Sequence, residues 1–415
     1  MDEMEGLRKY VESRCSSYRS TKLLPLMMPT FGPDEIMEAI DSLVSLNVTM
    51  GSKVEAFEKA FSSYLGVKYS TMQNSGSSAN LLALSILTNP ALERRLFPGD
   101  EVLVPAVTWS TSIFPIINVG AKPVLIDVDD DYLIDIEKLK ESIGPRTKAI
   151  MPVHLLGNVC DMDAIREMAQ EKHLFVVEDC CEALGSEFKG RKVGTFSDLS
   201  SFSFYFSHHI TTIEGGMLCT DGFEYGDLSR ILRAHGYVRH SLRKQKFVSE
   251  NPSIDPRFLF VNMGYNFRPT EIQGAFGIHQ LPKLDGFISR RIAVAHKLIK
   301  TLSPFSDSLL LPKEKSGTKH SWFAFPITIK ETAAFSRSDI TEHLERNGIE
   351  TRPLVCGNFA DQPAMKLFDY RNSDLSNAEN IMQNSFYIGI HPNIDDETMG
   401  KVGKVFLDFF SKSRA

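Results

Sequence analysis

The sequence predicts an α/β protein: a large unit built on a mainly parallel β-sheet sandwiched by helices, followed by a smaller C-terminal α+β unit. Three observations lead there. A chain of 415 residues with 42% hydrophobic content is long enough to bury one large core or two. From about residue 70 to 220, short β-rich runs alternate with helical or turn segments, the pattern of strands joined by crossover helices. After Pro282 that alternation gives way to a long helical pattern.

In chain order the expected strands are Glu101 to Val107, Pro123 to Val128, Ala149 to Leu155, Leu174 to Glu178, Ser200 to Phe206 and Gly216 to Thr220. In such sheets ligands gather at the carboxyl ends of strands, so Trp109, Asp179 and His208, which follow these runs, mark where chemistry is to be sought. Further on we expect a helix over Leu284 to Leu302, a strand around Phe323 to Ile329 and a helix around Ser338 to Asn347. The chain therefore divides into residues 1–285, with the first twenty or so an N-terminal arm outside the ordered core, and residues 286–415. No internal repeat or low-complexity tract interrupts it.

Composition excludes several function classes. The 46 basic and 52 acidic residues give a formal charge of −6, and neither sign gathers into a block, which argues against a nucleic-acid groove and a polybasic membrane anchor. No apolar stretch approaches the roughly 18 residues of a spanning helix, and the start Met1-Asp2-Glu3, soon followed by Arg8 and Lys9, lacks a secretory apolar region. A cytoplasmic protein is expected. Six scattered cysteines, none in a C-x-x-C pair, read as buried thiols rather than a disulfide framework.

Several residues could carry chemistry. Asn74-Ser75-Gly76-Ser77-Ser78-Ala79-Asn80 places small residues where a helix begins: either an ordinary serine-rich cap, or a phosphate cradle in which free amides and the helix dipole favour an anion and Gly76 permits close approach. Asp179 ends an apolar run, either capping a helix or meeting the ring nitrogen of a pyridoxal-type cofactor. Trp109 offers a flat face for a ring or belongs to the core. Ser203, in the alternating Phe202-Ser203-Phe204, reads as a solvent-facing strand hydroxyl unless a ligand uses it.

The segment from Ser203 through His208-His209 to Glu214-Gly215-Gly216 is the most unusual. With Asn74-Ser75-Gly76, Gly99-Asp100-Glu101-Val102, Glu178-Asp179, His235-Gly236 and Gly264-Tyr265-Asn266-Phe267-Arg268, in this order, the chain resembles the DegT/DnrJ/EryC1/StrS family of sugar aminotransferases from about Asp34 onward. The resemblance implies an aspartate-aminotransferase-like (PLP fold type I) architecture and pyridoxal 5'-phosphate. One departure matters. Six residues before the glutamate of Glu214-Gly215-Gly216, the aminotransferases carry the lysine that holds the cofactor covalently; this chain has His208. The nearest preceding lysines, Lys189 and Lys192, read as surface cations. Histidine there is similar to a branch that removes oxygen from sugars, the nucleotide-linked 4-keto-6-deoxyhexose 3-dehydratases. Arg352-Pro353, Gly357-Asn358-Phe359, Gln362-Pro363-Ala364 and Ile388-Gly389-Ile390-His391-Pro392 also resemble it. No cysteine lies between Cys219 and Cys356, where the iron–sulfur members of that branch place most cluster ligands, so the chain resembles the cluster-free, colitose-type group instead. Cys180-Cys181 is then read as packing beneath the cofactor.

Carried over position by position, the resemblance implies that the Gly76 and Ser77 amides, Ser203 and Asn266 hold the cofactor phosphate, Asn266 reaching in from the second subunit of a homodimer. Trp109 would stack on the ring, Asp179 bind its nitrogen and Glu182 sit near its hydroxyl. His208 would be the catalytic base acting on the pyridoxamine 5'-phosphate form, with a nucleotide-linked 4-keto-6-deoxyhexose as substrate, GDP-4-keto-6-deoxymannose favoured over CDP- or TDP-linked sugars because the cluster-free relatives use GDP, and L-glutamate as amino donor. An unperturbed imidazole near roughly 6.5 could serve as both base and acid, whereas a lysine near roughly 10.4 stays protonated. His235 is open between a substrate contact and a structural hydrogen bond, and His209 reads as structural. The competing readings are an aminotransferase that tolerates histidine and a non-catalytic homologue that has lost its lysine.

Overall fold

The structure, a computed structural model, describes residues 3–412. Strand β1 (Tyr69–Gln73) leads through the helix Gly76–Leu87 to β2 (Glu101–Pro105). The alternation continues through the helix Ser110–Asn118, β3 (Lys122–Ile126), the helix Ile136–Ser142, β4 (Thr147–Ile150), the helix Met162–Lys172 and β5 (Phe175–Asp179). A short hairpin, β6 (Glu187–Phe188) and β7 (Arg191–Lys192), precedes β8 (Leu199–Ser203) and β9 (Gly216–Thr220). After the helices Glu271–Gln280 and Leu284–Leu302 come β10 (Leu309–Leu310), β11 (Thr318–Lys319), β12 (Ala324–Ile329), β13 (Thr351–Pro353), β14 (Arg371–Asn372) and β15 (Ser385–Gly389).

The large sheet has eight strands in the order β1-β9-β8-β5-β4-β2-β3-β14. Every pair from β8 to β14 is parallel; only β9 runs against its neighbours β1 and β8. Strands β2, β5, β8 and β9 are buried at every position, as expected for strands covered by helices on both faces. A four-stranded sheet, β10-β12-β15-β13, lies in the C-terminal part. It shares a second apolar core with the helices Leu284–Leu302, Arg337–Arg346 and Asp396–Lys412.

Three details differ from the sequence expectations. The first residues are helical rather than irregular: Glu3–Ser17 forms a helix tied together by Lys9–Glu5 and Arg8–Glu12 and to the next helix by Arg8–Asp34. The expected strand Ser200 to Phe206 stops at Ser203, where the chain leaves the sheet as a loop closed by Phe204 N–H donating to Gly215 and Thr212 N–H to Phe204. The expected run Ala149 to Leu155 stops at Ile150 and ends in a tight turn with Leu156 at φ 54°. The two parts also interlock. Leu24 belongs to the second core and bridges to Ile349, while Leu354, Phe359, Met365, Leu375, Ala378 and Ile381 return to the first, and β14 completes the edge of the large sheet.

Candidate active site

At the carboxyl ends of β5 and β8 the structure opens a cleft of about 590 Å³. Its floor comes from the large sheet and its far wall from Phe323, Arg352, Pro353, Val355 and Tyr387 of the C-terminal part. Of the sequence-predicted residues, Gly76, Ser77, Trp109, Asp179, Glu182, Ser203 and His208 all line it, and Asn266 and His235 do not.

One end is a helix N-terminus. Ser75 caps the helix Gly76–Leu87, its side chain accepting from Ser78 N–H at 3.1 Å, and the amides of the first turn have no carbonyl four residues back to bond. The cap lies so close to β8 that a Cβ on Gly76 would meet Ser203 Cβ at 2.6 Å and Cys181 Sγ at 3.1 Å. A Cβ on Gly216 would meet the Ser75 carbonyl at 2.3 Å. Glycine at both positions brings free amides and the Ser203 hydroxyl to one spot, a site suited to an anion. Ser203 is 8% exposed, so it is a buried hydroxyl on this site rather than a solvent-facing one.

Asp179 ends β5 and is held from three sides. Oδ2 accepts from Asn80 Nδ2 and Ser112 Oγ, both at 2.8 Å, and Oδ1 accepts from Cys181 N–H at 3.1 Å. A buried carboxylate fixed in this way can meet a protonated ring nitrogen. Glu182, one turn on, accepts Leu156 N–H at 2.9 Å; burial, with Asp179 adding repulsion, pushes its carboxyl up to about 7. Trp109 stands at the rim, 57% exposed. Cys180 is buried and Cys181 lines the cleft, and burial raises both thiols well above the ordinary range.

His208 lies in the Phe204–Gly215 loop, its N–H donating to the Tyr205 carbonyl at 2.9 Å. Its ring meets Phe323 edge-on at 5.1 Å and Tyr205 at 6.0 Å, and its buried Nδ1 has no partner. Burial, aided by the charge of Arg291, lowers the imidazole to about 3. The near-neutral value taken from an unperturbed histidine therefore does not apply: the ring is uncharged at physiological pH because charging it is costly there. His209, next in the chain, points away and bonds the Ser321 carbonyl at 3.1 Å.

No lysine lines the cleft. Lys189 pairs with Asp163, and Lys192 lies over the Tyr64 ring, 4.5 Å from its centre. His235 adopts φ 61° and packs against Tyr237, its N–H donating to the Tyr265 carbonyl. Asn266 accepts from Arg268 Nε at 3.0 Å. Among the described residues, the one cluster with metal-ligand spacing is His154, Glu178 and Cys180. There His154 Nε2 bonds Glu178, His154 Nδ1 accepts Cys160 N–H, and Glu178 also accepts from Gly194, Phe196 and Ser197, so the imidazole and the carboxylate are already taken up by protein partners.

Residues 29–406 match the model of the DegT/DnrJ/EryC1/StrS aminotransferase family. The chain belongs to that family. Within the DegT/DnrJ/EryC1/StrS fold it is similar to GDP-4-keto-6-deoxy-D-mannose 3-dehydratase of Yersinia pseudotuberculosis, 40% identical over 379 residues that cover 88% of this chain and 94% of the relative. It superposes on an E. coli GDP-4-keto-6-deoxy-D-mannose-3-dehydratase with bound hydrated PLP at a TM-score of 0.88, with 36% identity over 93% of this chain and all of that one. A 3-dehydratase of the same substrate with a trapped PLP-glutamate geminal diamine gives 0.87 at 37% identity, covering 92% and 99%. The architecture is thus the one the resemblance implied.

Sequence reasoning missed the residues that make the site work from behind or across. Asn80 and Ser112, which hold Asp179, and Thr108, which bonds Ser112, are polar side chains inside or next to apolar helices; their clustering at the carboxyl end of one strand was the available signal. Phe323 and Tyr387 come from the C-terminal part, where spacing gives no hint of the fold bringing them back; Arg352, from the same part, is marked in the sequence only by the Arg352-Pro353 resemblance, which gives it no place in the cleft.

Proposed function

We propose that this chain is a pyridoxal-phosphate-dependent 3-dehydratase of a nucleotide-linked 4-keto-6-deoxyhexose, with GDP-4-keto-6-deoxymannose as the favoured substrate and L-glutamate restoring the amine form of the cofactor, in 3,6-dideoxysugar biosynthesis. One observation carries it: an imidazole, His208, occupies a cleft that no lysine lines. The cofactor fits the residues present. Gly76 leaves the cradle open where a Cβ would fill it, Asp179 is fixed at the strand end, and a buried nitrogen of His208 lacks a partner.

In this reading the Gly76 and Ser77 amides and Ser203 hold the phosphate, Trp109 stacks on the ring, Asp179 meets its nitrogen and Glu182 lies by its hydroxyl. Bound in the amine form, the cofactor supplies a group that condenses with the sugar ketone and a ring that accepts an electron pair and returns it as the C3–O bond breaks. His208, uncharged in the cleft, would accept the proton that the bound amine-form cofactor gives up. Its low basicity then makes the imidazolium a strong acid, ready to give that proton to the departing C3 oxygen. With no lysine to recapture the cofactor, hydrolysis releases a 3-deoxy-4-keto sugar and ammonia. Arg352, the one guanidinium lining the cleft, is suited to an anionic group of the glutamate or of the nucleotide sugar.

A homodimer, with Asn266 of each copy completing the phosphate site of the other, is part of the proposal; it is supported by the placement of Asn266 outside its own cleft and by the exposed Trp109 at the rim. No helix among the described residues is long and apolar enough to cross a membrane, and six free cysteines support a cytoplasmic setting.

The test is mass spectrometry of the nucleotide sugar after incubation with glutamate and cofactor, over a panel of GDP-, CDP- and TDP-linked 4-keto-6-deoxy sugars. The expected product has lost the C3 oxygen and gained no nitrogen. An aminated product would establish the aminotransferase reading, and an unchanged panel the non-catalytic one.

A further inference from the structure

Arg291, on the helix Leu284–Leu302, is 2% exposed, yet among the described residues no carboxylate lies within ion-pair distance of it. Buried cations are ordinarily paired with acids, because taking a charge out of water is costly. This one is held by carbonyls. One guanidinium nitrogen donates to Trp322 and Phe323, each at 3.1 Å, and to Ile390, while Nε has no partner. The Trp322–Phe323 segment it grips is the one whose Phe323 ring packs edge-on against His208 and tilts against His209. Ile390 belongs to the chain leaving β15, so a single side chain ties together the helix, the segment behind His208 and the C-terminal sheet.

We infer that Arg291 is a positioning residue for His208: an unpaired buried guanidinium that clamps the segment packed on the imidazole. The inference rests on His208 being the base, and its geometry is independent of the substrate. The other ionisable groups on this side add no counter-charge. His209, His320 and His391 are buried, and burial holds all three below the ordinary histidine range. His391 has no partner at either nitrogen and lies within reach of the Arg291 charge, and Trp322 N–H donates to His320 Nδ1. Across the cleft stand Asp179, Glu182 and Glu214, with Arg352 and Tyr387. Asp179 is committed to its own donors, and burial pushes Glu182 toward its neutral form.

The experiment follows the His208 ring by NMR in protein carrying labelled histidine and loaded with pyridoxamine phosphate, the signal being identified by its loss in His208→Asn. In the wild type it should stay neutral from about pH 8 to about pH 5.5, where an ordinary histidine would have titrated. Arg291→Met, which frees the Trp322–Phe323 segment, should move the His208 ring signal and lower kcat with little change in KM, while Arg291→Lys, which keeps a donor and loses the fork, should recover part of kcat. The inference is overturned if Arg291→Met binds cofactor and leaves both the His208 ring signal and kcat at wild-type values. Should Arg291→Met fail to fold, Arg291→Lys decides by itself: wild-type kcat with an unmoved His208 signal overturns the clamp. Because the ring signal needs no turnover, a protein inactive on every nucleotide sugar would refute the proposed activity while that signal still tested the clamp.

Discussion

Replacing Asp179 with asparagine changes one atom and tests the cofactor reading at its most constrained point. The carboxylate accepts three hydrogen bonds, from Asn80, Ser112 and the Cys181 amide. An asparagine has a single carbonyl oxygen, so an NH₂ must face some of these donors. The Ser112 hydroxyl can turn and accept; the Asn80 amide cannot, because its own oxygen already accepts from Ser201. The mismatch costs about 1–3 kcal/mol of stability. The larger effect is on the ligand: a charged hydrogen bond to the ring nitrogen is worth about 1.5–3 kcal/mol, which is roughly 10- to 150-fold in Kd. The two tryptophans make the assay direct. Trp109 is 57% exposed at the rim and Trp322 is fully buried, so quenching of intrinsic fluorescence by added pyridoxamine phosphate reports on the cleft. Asp179→Asn should bind at least about tenfold more weakly than wild type. An unchanged Kd in a folded variant would show that Asp179 does not meet the ring, and the cofactor placement built on it would fall.

Further outcomes follow from the same geometry. His208→Asn should keep the affinity for pyridoxamine phosphate and lose 3-dehydration, measured as release of ammonia; turnover at the wild-type rate would remove His208 from the mechanism. Gly76→Ala puts a methyl group 2.6 Å from Ser203 Cβ, which should cost about 1–3 kcal/mol in urea unfolding and weaken binding of the phosphorylated cofactor more than that of pyridoxamine. Glu182, raised from its ordinary 4.5 to about 7, holds a proton in the native state that the unfolded chain has released between those values. Stability should therefore fall as pH rises through that window, by at most about 3 kcal/mol, and Glu182→Gln should flatten the fall in cofactor-free protein; parallel curves for the two would refute the assignment.

What could be read in the sequence follows from where each determinant resides. Local apolar runs bounded by small residues gave β2, β3, β5 and β9 to within a residue or two, because burial on both faces leaves a continuous local signal. The strand after Ser200 was read too long, since Phe204 and Phe206 look like more strand; the chain instead turns at Ser203 because loop hydrogen bonds to Gly215 replace the ladder. Gly76, Ser77, Trp109, Asp179, Glu182, Ser203 and His208, which line the cleft, sit in short motifs that the sequence displays, whereas Asn266 and His235, from motifs as clear, lie outside it. Arg291 was not legible: on a helix that also carries Arg290, an arginine reads as solvent-facing, and only the packing of Trp322 and Ile390 shows that it points inward. The first helix escaped notice because it has no apolar stripe, its support coming from ion pairs.

Strand β14 carries a cost for the newborn chain. Its two residues pair with Val124 and Leu125 of β3, yet they are synthesised long after the rest of the large sheet. Until then β3 is an open edge with free backbone donors and acceptors, the geometry on which strands of other molecules add. Chains stopped before Arg371 should accordingly associate through that edge, whereas the finished protein covers Val124 and Leu125 with a strand that begins at Arg371, whose guanidinium reaches back to Glu101.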